Sequence, residues 1–112
     1  MVHPDRSLAW VGTSLADVRR FPEAARRAVG HQLRRVQAGL MPDDWKPMSA
    51  IGAGVHEIRV RAGAAYRVIY VARFEESVYV LHAFEKRSRK TRLMDIDLAR
   101  ARWADLLRQR MR

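Results

Sequence analysis

The chain has 112 residues, 48% of them hydrophobic and 30% charged, and 22 Lys plus Arg against 12 Asp plus Glu give it a formal charge of +10. That length suits one domain spanning 1–112 with a single core, and the composition is too apolar for a chain that stays disordered. Cysteine is absent, which excludes disulfide scaffolds, thiolate metal sites and cysteine nucleophiles; no apolar run approaches a membrane span or a signal peptide, so a cytoplasmic protein with no membrane partner is expected.

Leu8-Ala9-Trp10-Val11 predicts a first strand ending at Gly12, after which Thr13 or Ser14 can cap a helix from about Leu15. Pro22 disfavours helical geometry at Phe21 but suits a first helical position, so a second helix starts there. In it Ala25, Ala28, Val29, Leu33, Val36 and Leu40 recur at three and four residues, until Gly39 and Pro42 stop it. Residues 41–54 combine two prolines, two glycines and an acid pair, which reads as a loop pinned to the core by Trp45, Met48 or Ile51. From Val55 the period changes to two: VHEIRVR, AYRVIYVARF and SVYVLHAFEK predict three strands of an antiparallel meander. In the middle one Tyr66, Val68 and Tyr70 face one way and Ile69 and Val71 the other, so the strand is central and buried on both sides. After a basic stretch, Ile96, Ala99, Trp103, Leu106 and Leu107 form the apolar stripe of a last helix. The expected class is α+β.

The charge points to a polyanion as partner. Nineteen of the 22 basic residues are arginine, whose planar fork pairs bidentately with phosphate. Lys86, Arg87, Arg89, Lys90 and Arg92 crowd the end of the last strand, and Arg59, Arg61, Arg67 and Arg73 lie on neighbouring strands. In an antiparallel meander these side chains can converge on one concave face that would hold phosphates. The plainer reading makes them edge residues or partners of Glu57, Glu75 and Glu85. It fits Arg67 least, because a guanidinium inside an apolar strand is costly unless paired. His56 and His82 flank that strand and are candidates for proton transfer, though a packed histidine is the commoner case. No pair of histidines has metal-site spacing, and Gly52-Ala53-Gly54 lacks the length and following helix of a phosphate loop, so neither a metal nor a nucleotide cofactor is expected.

The stretch from Lys46 to Thr91 carries a "KP" opening, then VHEIRVR at 55–61, YRVIY at 66–70 and VLHAFEKRSRKT at 80–91, followed by DIDLARAR. In these motifs the sequence resembles the HigB-like, phage-derived branch of the RelE/ParE toxin superfamily. The resemblance implies an antiparallel sheet packed by two N-terminal helices and one C-terminal helix. It also implies the toxin of a type II toxin–antitoxin pair that cuts mRNA on the ribosome and is neutralised by a helix-turn-helix antitoxin. By position the family's strand arginine falls on Arg67 and its basic pair on Lys86 and Arg87, with His56, His82 or Glu85 as further proton-transfer candidates. The tyrosine of the RelE pattern would fall on Leu93, so it is missing here. Two alternatives share the fold: a ParE-like toxin that binds gyrase and cuts nothing, and an inactive relative that only binds an antitoxin.

Overall fold

The computed structural model describes residues 5–89 and 92–112. Its elements run β1 (Ser7–Trp10), α1 (Ser14–Arg19), α2 (Glu23–Gln37), β2 (Trp45–Pro47), β3 (Val55–Ala62), β4 (Ala64–Val71), β5 (Ser77–Lys86) and α3 (Leu93–Arg110). The five strands form one sheet in the order β1-β5-β4-β3-β2. The meander β3-β4-β5 is antiparallel as expected, with the chain reversing at Gly63, whose φ of +80° is open to glycine at little cost. The sheet as a whole is mixed, because β1 lies parallel to β5, with Ser7 opposite Ser77. Parallel partners are joined by long crossovers rather than hairpins, so nothing local in the sequence marks the pairing.

A second correction falls in 41–54. Met48 and Ile51 are buried there, but Trp45–Pro47 adds a short edge strand antiparallel to β3. Pro47 lacks the N–H that an inner strand would need, and an edge tolerates that. Trp45 is no core anchor: it is 36% exposed, and its ring lies tilted against His56 at 4.5 Å between ring centroids.

Helices cover both faces. On one, Ala25, Val29, Leu33 and Val36 of α2 and Val18 of α1 pack on Ile58, Val60, Tyr66, Val68, Tyr70, Val78 and Val80. Each such Val, Leu or Ile contributes about 1.5–3 kcal/mol by leaving water. Leu40 is exposed rather than part of this stripe, because α2 ends at Gln37 and Gly39 turns the chain away at φ +87°. The following loop is tied back by Gln32, whose Nε2 donates to Asp43 Oδ2 while its Oε1 accepts from the Asp43 N–H, both at 2.8 Å. Thr13 precedes α1 without capping its backbone; its hydroxyl donates to Asp17 Oδ2 at 3.0 Å.

On the other face Ala99, Trp103 and Leu106 of α3 cover Val55, Ile69, Val71, Leu81 and Phe84. The β4–β5 register steps from Ile69↔His82 to Tyr70↔Val80, leaving Leu81 as the extra residue of a bulge. Leu81 and His82, adjacent in sequence, therefore both meet α3: Leu81 enters its apolar cluster, and His82 Nε2 hydrogen-bonds Asp95 Oδ1 at 2.8 Å. Arg102 Nη1 donates to the Leu81 carbonyl at 2.8 Å. Among the described residues no helix is long and apolar enough to cross a membrane.

Candidate functional site

Strand register assembles the site. Arg61, Ala65 and Lys86 are neighbours across β3, β4 and β5, and Arg59, Arg67 and Phe84 form the next row. Cross-strand partners share a face, and i, i+2 residues share it too, so these rows lie on the α3 side of the sheet, at its Gly63 end. Ala65 puts only a methyl between two long cations, which leaves the floor open. The result is a groove of ≈ 660 Å³ lined by Arg61, Ala65, Arg67, Glu85, Lys86, Arg87 and Arg89. Beside it a cleft of ≈ 240 Å³ is lined by Asp44, Arg59, Arg61, Ala65 and Arg67.

Glu57 organises the charges. Its carboxylate is fully buried, and its Oε1 lies 3.5 Å from Arg67 Nε, 3.9 Å from Arg59 Nε and 4.0 Å from Lys46 Nζ. Arg67 is 12% exposed, and its Nη1 donates to the Tyr66 carbonyl at 3.1 Å. Burial lowers its pKa, Glu57 opposes that and Arg59 adds to it; an arginine nonetheless stays charged at any physiological pH. Burial also lowers the Lys86 ammonium from the ordinary lysine range. Arg67 beside it pushes the same way, Glu57 against, and Lys46 and Arg59 add smaller contributions. Arg87 is 82% exposed, with its Nε donating to Glu85 Oε2 at 2.6 Å. Such a concentration of cations suits an anion, with Arg67 held within the sheet and Arg87 at the surface.

Other candidate residues fall elsewhere. Arg73 does not join the cluster: its Nη1 donates to the Ala53 carbonyl at 3.0 Å, and its guanidinium lies 5.0 Å from the Phe74 ring and 5.3 Å from Trp103. His56 is on the opposite, α2 side, with Nδ1 3.4 Å from the Tyr70 hydroxyl and its pKa lowered by burial. Tyr66 and Tyr70 are buried on that side as well, and burial pushes the Tyr70 phenol up to about 12. His82 faces the α3 side but is buried, engaged with Asp95 and stacked on Phe84 at 5.2 Å. Arg92 sits at the start of α3, its Nε donating to Asp95 Oδ2 at 3.2 Å. Arg89 is exposed along the groove, and Lys90 lies outside the described residues. Among the described residues no three histidine, aspartate or glutamate side chains gather as a metal-ligand set.

Sequence reasoning passed over Lys46 and treated Glu57 as one of several surface partners. Both were within reach. Lys46 opens the "KP" motif, and Glu57 shares the i, i+2 face of Arg59 and Arg61 in VHEIRVR. What the spacing could not show is β2, the strand that brings Lys46 opposite Glu57.

The family model described as Phage derived protein Gp49-like (DUF891) matches residues 16–104, a span that contains the whole groove. No curated protein matches the chain.

Proposed function

The chain belongs to the Gp49-like family of phage-derived proteins, a family of RelE/ParE-like toxins, and on that premise we propose that it is the HigB-like toxin of a type II toxin–antitoxin pair, an endoribonuclease acting on mRNA at the ribosome. The observation that carries this reading is the groove: Arg67 held by buried Glu57, with Lys86 and Arg87 on the next strand end. A groove of this size and charge suits a single strand of RNA, whose phosphates provide most of the affinity.

The proposed reaction needs no metal. The ribose 2′-OH attacks the adjacent phosphorus, the bond to the 5′ oxygen breaks, and a 2′,3′-cyclic phosphate and a 5′-OH result. Lys86, whose pKa is lowered by burial and by Arg67, takes the 2′ proton as the base, and the leaving 5′ oxygen takes up a proton from water. Arg67 and Arg87 hold the charge that develops on the phosphorane oxygens, Arg67 as the fixed donor and Arg87 by closing over the phosphate. Arg59, Arg61 and Arg89 bind flanking phosphates. The partner that neutralises the toxin, on this reading, is a helix-turn-helix antitoxin encoded beside it, with a segment that covers the cationic groove.

Primer extension on total mRNA after induced expression tests the reading. New 5′ ends within translated messages, lost in Arg67→Ala, are expected. Growth arrest with intact mRNA and DNA breaks would mean a gyrase poison, and no arrest would mean an inactive relative.

A further inference from the structure

Glu57 is 0% exposed, an expensive place for a carboxylate unless cations surround it. Its Oε1 faces one cation from each of three strands: Lys46 of β2, Arg59 of β3 and Arg67 of β4. The separations, 3.5–4.0 Å, are longer than those of a tight charge-assisted hydrogen bond. Glu57 therefore balances the cations without engaging any of them in a short bidentate pair. It lines neither the groove nor the cleft, whereas Arg67 lines both. A residue so placed cannot touch RNA, yet it determines where the residue that can touch it stands.

We infer that Glu57 is a positioning residue, which holds Arg67 and Arg59 side by side against their mutual repulsion and so keeps the Arg67 guanidinium where the reacting phosphate must sit. This rests on the cleavage reaction proposed above for the same groove. Neutralising Glu57 removes a buried negative charge that faces Lys46, Arg59 and Arg67 alike. Arg67 then keeps its hydrogen bond to the Tyr66 carbonyl but loses the charge that draws its Nε inward, so the guanidinium can swing toward solvent, while the groove gains net positive charge. Cutting and binding should therefore move in opposite directions, which a merely structural role would not produce.

The test uses the full chain with Glu57→Gln, Glu57→Asp, Arg67→Ala and the Glu57→Gln/Arg67→Ala double variant. At saturating mRNA and ribosomes, Glu57→Gln should slow cleavage about 10- to 100-fold, the scale on which small misplacements act, while its affinity for a single-stranded oligoribonucleotide stays equal or tightens. Glu57→Asp should recover part of the rate. The double variant should be no slower than Arg67→Ala alone. In the NMR spectrum the Arg67 Nε–H resonance should lose its protein-specific shift in Glu57→Gln while the core resonances persist. If Glu57→Gln does not fold, Glu57→Asp carries the same comparison, and a lowered rate at unchanged affinity is then expected. An unmoved Arg67 resonance, equal losses of rate and affinity, or losses that multiply in the double variant would overturn the inference. A wild-type protein that cleaves no mRNA would refute the proposed reaction instead, leaving the Arg67 resonance and the affinities to decide the role of Glu57.

Discussion

Arg59 and Arg67 stand directly opposite each other on β3 and β4, a like-charge cross-strand pair that would by itself destabilise the sheet. The pair persists because one buried carboxylate, two residues before Arg59, lies 3.9 Å from one guanidinium and 3.5 Å from the other. Arg61 and Lys86 extend the same positive surface by one row. The positive end of the sheet is thus built over a buried negative charge, with Asp44 4.0 Å from Arg59 at its side, and its residues differ sharply in how much of the fold depends on them.

Arg67→Ala should abolish mRNA cleavage and also lower stability. It removes a cation that stands 3.5 Å from buried Glu57, and loss of a partner of a buried acceptor costs about 1–3 kcal/mol. Urea denaturation beside primer extension reads both effects; wild-type cleavage by the folded variant would remove Arg67 from the reaction.

Arg87→Ala should separate the two. With the side chain 82% exposed and its ion pair to Glu85 at the surface, stability should change by no more than about 0.5 kcal/mol, yet cleavage should be lost. An active Arg87→Ala protein would leave Arg67 and Lys86 as the only cations of the reaction.

RNA affinity should fall steeply with salt, since cations in the groove displace counterions from phosphates. Replacing Arg61 or Arg89 by Gln should reduce the slope of log affinity against log salt by about one each, with little effect on the maximal rate. A salt-independent affinity would rule out phosphate-dominated binding.

The pH profile should carry the signature of Lys86. Its folded-state pKa lies below the ordinary lysine value because of burial and the neighbouring Arg67. The neutral amine required of a base accordingly accumulates at lower pH than for a free lysine, and single-turnover cleavage should rise with pH earlier than an unshifted lysine would allow. Lys86→Arg, charged throughout, should flatten that limb; an unchanged profile in Lys86→Arg would assign proton removal to another group.

Gly52→Ala probes the opposite end of the α3 face. A Cβ there would collide with the Trp103 indole, so the variant should lose about 1–3 kcal/mol through overpacking, measurable as a lower denaturation midpoint. The groove is remote from this contact, and the folded fraction should retain RNA binding.

Much of this arrangement was legible in the sequence because it depends on alternation. VHEIRVR, AYRVIYV and SVYVLHAFEK specify faces as well as strands, and from them the two-sided burial of β4 and the convergence of Arg59, Arg61, Arg67 and Lys86 follow. The resemblance added the weight on Arg67, Lys86 and Arg87. What escaped the sequence was non-local or too short to have a period. The parallel pairing of β1, the three residues of β2 and the bulge at Leu81 are set by tertiary contacts, and they decide that Lys46 approaches Glu57 and that His82 turns to Asp95. His56 lies on a strand beside that of Arg67 as expected, but on β3 one position decides which side of the sheet a residue faces and it faces α2, while Arg73 lies beyond the end of β4 at Val71.

The parallel seat of β1 beside β5 also dictates an order of assembly. Ser7 and Ser77 are separated by seventy positions, and their hydroxyls come to 2.8 Å, whereas β3, β4 and β5 join through short reversals. Loop closure favours the short connections first. The meander carrying Glu57, Arg67 and Lys86 should therefore acquire hydrogen-exchange protection before β1 does in a pulse-labelling experiment, so that the cationic groove takes shape on a nascent sheet whose outer edge is still open.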